Sequence, residues 1–289
     1  MKRIGFGVTC GAHRLWSHRT YEATLPLRIF LMILNTASLQ NDIYEWSRDH
    51  RVHHKFSDTD ADPHNSTRGF FFAHMGWLFC KKHPHVLDKG KTVALDDIAA
   101  DPVVAFQRQF YKPLTMIFTF YIPTYIICYY FGEDYYSAFY LSCFRYCFSL
   151  HSTWLVNSAA HLYGVKPYDT RINPRESKLV QILTVGEGYH NYHHVFPFDY
   201  SASEVSWTQD LNLSTMFIDL CAKLGLAYNL KKVDPKLIQS RVERTGDVTL
   251  NQIYLENRSG SFKWTSVLSL IYLLLIIPVG VVLVRKVFF

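Results

Sequence analysis

Residues 110–132, FYKPLTMIFTFYIPTYIICYYFG, carry no charge after Lys112 and are long enough to cross a bilayer as a helix. The run that follows, 135–160, is as long but contains Arg145 and His151. A charged residue inside a span is costly and turns toward protein or water, so this run reads as a second span with a polar inner face. Gly132, Glu133 and Asp134 join the two into a hairpin. Further out, 267–284 (VLSLIYLLLIIPVGVVLV) has no charge at all, and Trp264–Val284, closed by Arg285 and Lys286, reads as one more span. Pro278 and Gly280 are compatible with that reading, since spans tolerate both. Residues 25–40 (LPLRIFLMILNTASLQ) are apolar but too short for a span and read as a half-buried or interfacial helix. The pattern predicts a mainly α, integral membrane helical protein.

Charge sets the topology. Lys81, Lys82, Lys89, Lys91, Arg108 and Lys112 crowd the approach to the hairpin, and Lys166, Arg171, Arg175 and Lys178 follow it, while the connecting loop is acidic. Both ends of the hairpin therefore belong on the cytoplasmic side. The polar segments before and after it then face one compartment.

Across 289 residues, 49% hydrophobic and 16% aromatic content is enough to bury a sizeable core. A net charge of +6 on such a chain fits anionic headgroups or phosphates better than nucleic acid. Cys10, Cys80, Cys128, Cys143, Cys147 and Cys221 show no C-x-x-C pair, which argues against a disulfide framework or a structural zinc site and leaves core packing as their role. The opening MKR runs into a glycine-rich stretch, so no cleavable signal sequence is expected.

Eight of the fourteen histidines fall in three clusters: His13 and His18 in HRLWSH, His50, His53 and His54 in HRVHH, and His190, His193 and His194 in HNYHH. In H-x-x-H-H on a helix, the first and last imidazoles share a face, and the two adjacent ones point about 100° apart. Adjacent rings can therefore serve two different metal ions. The spacing of His13 and His18 is different: five residues make about 140° around an α-helix, so a structured helix end must aim them. His161, four residues after Asn157, adds a ninth candidate expected on the same helical face as that asparagine. His64, His74, His83, His85 and His151 are scattered and read as ordinary surface or core residues.

Imidazole suits iron, zinc, copper and nickel alike. So many neutral nitrogens exceed one tetrahedral zinc and point to two metal ions with a position open for oxygen. Without a run of carboxylates to make a hard oxygen cage, iron working with O2 is the best match. Metal transporters also carry histidine-rich loops, but those tracts are irregular, whereas here H-x-x-H-H recurs beside long apolar runs.

The segments GAHRLWSH, EWSRDHRVHHKFSDTDADPHN, RGFFFAHMGW, WLVNSAAHLYG and GEGYHNYHHVFPFDYSASE resemble the membrane acyl-CoA desaturases of the stearoyl-CoA type, with an arthropod-like character, from about residue 4 to about 247. The resemblance implies an O2-dependent oxidoreductase of fatty acid biosynthesis that introduces a double bond into a saturated acyl-CoA. It implies two iron ions (Fe2+), electrons from NADH through a separate cytochrome b5 reductase and cytochrome b5, and an endoplasmic reticulum membrane location with the histidine boxes facing the cytosol. The family's iron ligands fall on His13, His18, His50, His53, His54, His161, His190, His193 and His194, with a water-linked ligand on Asn157. Its CoA contacts fall on Asn41, Arg48, Asp49, Lys81 and Lys82, with Trp154 near the thioester. Arg and Lys there suit phosphate, although flanking positive charge alone also accounts for Lys81 and Lys82. Gln40, Trp46 and Thr153 match residues that bend the acyl channel, and ordinary packing serves equally for these three.

The resulting organisation is a membrane-helix remnant with the first histidine box (1–25), an interfacial helix and cytosolic region with the second (26–109), the hairpin (110–160), a cytosolic region with the third (161–262) and a C-terminal span (263–289). The two cytosolic regions form a helical cap holding the di-iron site. Family members carry two further spans before the first histidine pair, so the resemblance implies an N-terminally shortened chain that lacks one wall of the channel. A second reading is a non-catalytic, truncated desaturase paralogue that binds metal, lipid or a partner desaturase. A membrane di-iron hydroxylase shares the histidine clusters but not the GEGYHNYHHVFPFDYSASE context.

Overall fold

The computed structural model describes residues 5–259; the expected span at 263–289 lies outside the described residues. The described chain begins with a wholly buried π-helix, Gly7–Ser17. A two-residue strand β1 (Glu22–Ala23) follows and pairs antiparallel with β2 (Ala227–Tyr228), Glu22 opposite Tyr228, so two segments far apart in the chain are tied together. Helix α1 (Leu25–Ser38) takes the place of the expected half-buried helix and starts with proline at a position that needs no N–H. Helix α2 (Ile43–Phe56) begins at Asp42, whose carboxylate accepts the Glu45 N–H at 2.9 Å.

The π-helix crosses α1 at Gly7. A Cβ there would lie 2.1 Å from the Asn35 nitrogen, so only glycine permits the approach. Cys10, Leu15 and Trp16 then pack with Leu27, Leu31 and Met32 of α1 and Ile218 in one core.

Short helices α3 (Phe70–His74), α4 (Pro84–Gly90), α5 (Asp96–Ala99) and α6 (Pro102–Gln109) fill the segment up to the hairpin. Gln107, fully buried, accepts the Ile43 N–H at 2.8 Å and donates to Asn35 Oδ1 and Thr36 Oγ1 at 2.8 and 2.9 Å. One side chain thereby joins α1, α2 and α6, and it satisfies polar groups that burial would otherwise leave unpaired.

The hairpin's first arm, Tyr111–Phe131, consists of α7 (Tyr111–Thr115), a π-helical segment (Met116–Tyr121) and α8 (Ile122–Phe131). Among the described residues it is the one helix long and apolar enough to cross a membrane. The second arm is α9 (Tyr135–Asn157), capped by Asp134. Polarity here is reversed relative to a water-soluble helix pair. Thr119, Thr124, Ser142 and Arg145 are buried, while Tyr121, Tyr125, Tyr129, Tyr130, Tyr136, Tyr140 and Phe144 are exposed. Thr124 Oγ1 lies 3.1 Å from Ser142 Oγ, and Arg145 donates to the Thr119 carbonyl at 2.6 Å. Arg145 thus faces protein, as expected of a charge in such a run.

Ser158 interrupts the helix, which resumes as α10 (Ala159–Leu162). The remainder comprises α11 (Lys178–Leu183), α12 (His190–Val195), α13 (Leu213–Lys223), α14 (Pro235–Thr245) and α15 (Val248–Ser259). All six cysteines are free; Cys10 and Cys221 are core residues, but Cys80 and Cys147 are exposed, so core packing describes only part of the set. Those two sit where the chain presents a surface rather than an interior: Cys80 just before α4 and Cys147 on the outward side of α9.

Candidate metal centre

His13 and His18 depend on the helix type. In the π-helix each N–H reaches the carbonyl five residues back, and the His18 N–H closes the last such turn on the His13 carbonyl at 3.1 Å. Five residues then make about one turn, and the rings lie 5.0 Å apart, centroid to centroid. The 140° separation expected of an α-helix does not apply, because the hydrogen-bond register is wider.

The three boxes interleave. Ring nitrogens of His13, His18, His50, His54 and His193 lie within 4.8 Å of one another, and those of His53, His161, His190 and His194 form a second group on the same criterion. In α2, the i,i+4 pair His50 and His54 enters the first group and the intervening His53 the second. In α12 the assignment is exchanged: His190 and His194 enter the second group, His193 the first. Each H-x-x-H-H therefore contributes to both groups, as the angle between adjacent side chains requires. The other side of α12 anchors it. Asn191 accepts the Tyr168 and Asp169 N–H groups at 2.8 and 3.1 Å, and Tyr192 donates its hydroxyl to Asp199 at 2.8 Å.

Three carboxylates that sequence reading missed hold the rings. His13 Nδ1 is 2.9 Å from Glu187 Oε2, His53 Nδ1 is 2.9 Å from both oxygens of Asp62, and His161 Nδ1 is 3.1 Å from Asp58 Oδ2. A carboxylate at Nδ1 keeps the proton there and turns the Nε2 lone pair inward. Glu187 is fixed in turn by the fully buried Arg14, at 2.6 Å. Burial acts to raise the Glu187 carboxyl, but Arg14 and His13 outweigh it and hold it at about 2. Asp58 is likewise held at about 2, burial being overcome by His161 and Ser66. The only sequence signal for these residues was the alternation Asp58, Asp60, Asp62 in a turn, and a glutamate three residues before His190.

Burial, reinforced by neighbouring imidazoles, keeps His18, His50, His54, His190, His193 and His194 well below the ordinary imidazole range, hence neutral. Nε2 atoms face each other at 2.9 Å (His13 and His193), 2.8 Å (His18 and His50) and 3.0 Å (His161 and His190). Nε2 of His53 is buried with no hydrogen-bond partner. Converging lone pairs and an orphaned buried nitrogen fit cations, and nine nitrogens in two groups could hold two.

Asn157 ends α9 and His161 lies in α10, so a one-residue interruption at Ser158 separates the two. Ser158 breaks the helix, donating to the Trp154 carbonyl at 2.8 Å and lying 3.0 Å from His74 Nδ1. His161 enters the second nitrogen group from α10, while Asn157 lines the cavities beside the centre.

One of those cavities, about 290 Å³, is lined by Gln40, Asn41, Trp46, Asp49, Thr153, Trp154 and Asn157 with His50. The other runs past Thr9, His13, His53, Phe148, Thr153 and Val156 to Arg145. Gln40 donates to Thr153 Oγ1 at 3.1 Å, bridging the end of α1 to α9 where the cavities meet Trp46. Arg48 and Lys82 converge on Asp49 at 3.0 and 2.5 Å, and all three line an open pocket with Lys91 and Arg108. Lys81 is set apart, exposed beside a smaller neighbouring pocket that Lys82 shares.

The fatty acid desaturase family model matches residues 3–232. Over 242 residues, 83% of this chain and 67% of the relative, the sequence is 58% identical to a stearoyl-CoA desaturase of Sus scrofa and 57% to that of Homo sapiens. An acyl-CoA desaturase of Cyprinus carpio is 56% identical over 243 residues, 83% of this chain and 74% of its own. The interleaved histidine boxes lie within the matched region, and the chain belongs to the fatty acid desaturase family.

Proposed function

We propose that this protein is an acyl-CoA desaturase that removes two hydrogens from a saturated acyl chain, with O2 taken to two waters by two electrons and two protons beyond those abstracted. The division of nine histidines into two adjacent nitrogen groups carries this reading. Two iron ions held there would supply the O2-derived oxidant that an unactivated C–H bond demands. His13, His18, His50, His54 and His193 would hold one, and His53, His161, His190 and His194 the other, with Asn157 beside it.

The chain's own residues do the remaining work. Glu187, Asp62 and Asp58 keep the imidazole protons on Nδ1 and aim the rings. The cavity past Thr153 and Val156 receives the acyl chain and excludes water from the carbons presented to the centre. Gln40 and Thr153, bonded to each other, and Trp46 set its bend. Arg48 and Lys82 offer cationic donors to the CoA phosphates, with Asp49 holding both in place, and Lys81 adds charge at the rim. Asn41 and Trp154 line the passage between that rim and the centre.

The reversed polarity of the hairpin supports insertion in lipid, with the tyrosines around Gly132 at a bilayer interface. Residues 26–109 and 161–259 then form a cytosolic cap, an orientation that the positive flanks support, and the family resemblance supports the endoplasmic reticulum as the membrane. By the family resemblance, cytochrome b5 and its NADH-dependent reductase deliver the electrons. The test is expression of the chain in yeast lacking its own desaturase. New monounsaturated fatty acids, lost in His193→Ala, are expected; iron bound without any new double bond would instead identify a non-catalytic paralogue.

A further inference from the structure

Asp60, His83 and His85 converge outside the histidine centre. A carboxylate oxygen and one ring nitrogen from each histidine lie within 4.8 Å of one another, all three side chains being exposed. Asp60 sits in the turn after α2; His83 and His85 flank Pro84 at the start of α4. The two aspartates nearest it in sequence are committed, Asp58 to His161 and Asp62 to His53, whereas Asp60 makes no hydrogen bond or ion pair among the described residues. Lys82 is held by Asp49 at 2.5 Å, and Arg68 and Lys81 line the small pocket that Asp60 and His83 also line.

We propose that Asp60, His83 and His85 form a surface site for a divalent transition metal, best suited to Zn2+. Two imidazoles and one carboxylate with water in the fourth position make a common zinc donor set. Tetrahedral bonds of about 2.1 Å need donor atoms about 3.4 Å apart. The present spacing closes to that by rotamer changes that exposed side chains make at small cost. The exposed position keeps the ion exchangeable, in contrast to the buried centre. Because Asp60 lies between Asp58 and Asp62, an ion here ties the turn that orients His161 and His53 to α4, immediately after Lys81 and Lys82.

The test uses the full chain in detergent micelles, loaded with iron, and titrates Zn2+ against a chromophoric chelator while bound iron is counted. One zinc per chain is expected in addition to the iron, with no iron released. His85→Ala and Asp60→Asn should each weaken that binding about tenfold or more. Both side chains are exposed and bear no packing load, so these variants fold. Zinc affinity unchanged in both variants overturns the proposal, and so does zinc uptake matched ion for ion by iron loss, which would place the zinc in the nine-histidine centre.

Discussion

Asp62 places both carboxylate oxygens 2.9 Å from Nδ1 of His53 and so commits that ring's proton to the side away from the centre. The basicity of His53 is raised: burial opposes protonation, and the charge and hydrogen bond of Asp62 outweigh it. Asp62→Asn should leave the fold intact but weaken iron retention by about 10–100-fold, the usual effect of losing an outer partner of a ligand. Iron content after dialysis against a chelator measures it. Retention equal to the unaltered chain would show that Asp62 only closes the turn.

His53 and His54 are neighbours in sequence that belong to different nitrogen groups. Alanine at either position should remove roughly half of the bound iron rather than all of it, and abolish desaturation in both cases. Metal analysis of the two purified variants decides this. Complete loss of iron from each would mean that the two groups act as one inseparable site.

Arg14 and Glu187 form a buried ion pair with both groups nearly shut off from solvent. Removing one partner leaves the other charge uncompensated, which costs about 3–5 kcal/mol. Glu187→Gln should therefore lower the unfolding midpoint markedly as well as release His13; Arg14 also donates to the Tyr200 and Ser201 carbonyls and to Thr215 Oγ1, so Arg14→Met removes those hydrogen bonds and does not rescue it. Thermal unfolding of Glu187→Gln checks this, and an unchanged midpoint would argue against the pair's electrostatic role.

Gly7 allows the π-helix and α1 to meet at backbone contact. Gly7→Leu must push the helices apart and is expected to destabilise by about 1–3 kcal/mol, misplacing His13 and His18 together. A drop in both folded yield and iron content checks it, whereas a change in neither would show that the approach is not needed.

Thr153 lines both cavities and holds Gln40. Thr153→Trp fills the bend; iron content should stay unchanged while the products shift toward shorter acyl chains or disappear. Mass spectrometry of the fatty acids separates this from a fold defect, which would lower iron as well.

Periodicity made the outline legible before any coordinates. Apolar runs of span length give the hairpin, and H-x-x-H-H assigns adjacent imidazoles to different directions because about 100° per residue is a property of the backbone alone. All nine histidines expected at the centre lie in one of the two nitrogen groups. Residues whose role depends on partners far along the chain were not legible. Glu187 acts on His13 and Asp58 on His161, across separations of more than a hundred positions, and nothing local marks a carboxylate as the orienting partner of an imidazole.

The sequence by itself determined which groups are available and how each box distributes them, since side-chain chemistry and helical repeat are local. Tertiary structure decided the rest. It widened the first helix to a π register, so that His13 and His18 align, and it broke α9 at Ser158, so that His161 enters the second nitrogen group from a separate short helix. Both are choices among backbone hydrogen-bond registers that differ little in local energy, and packing against α1 and the histidine centre selects between them.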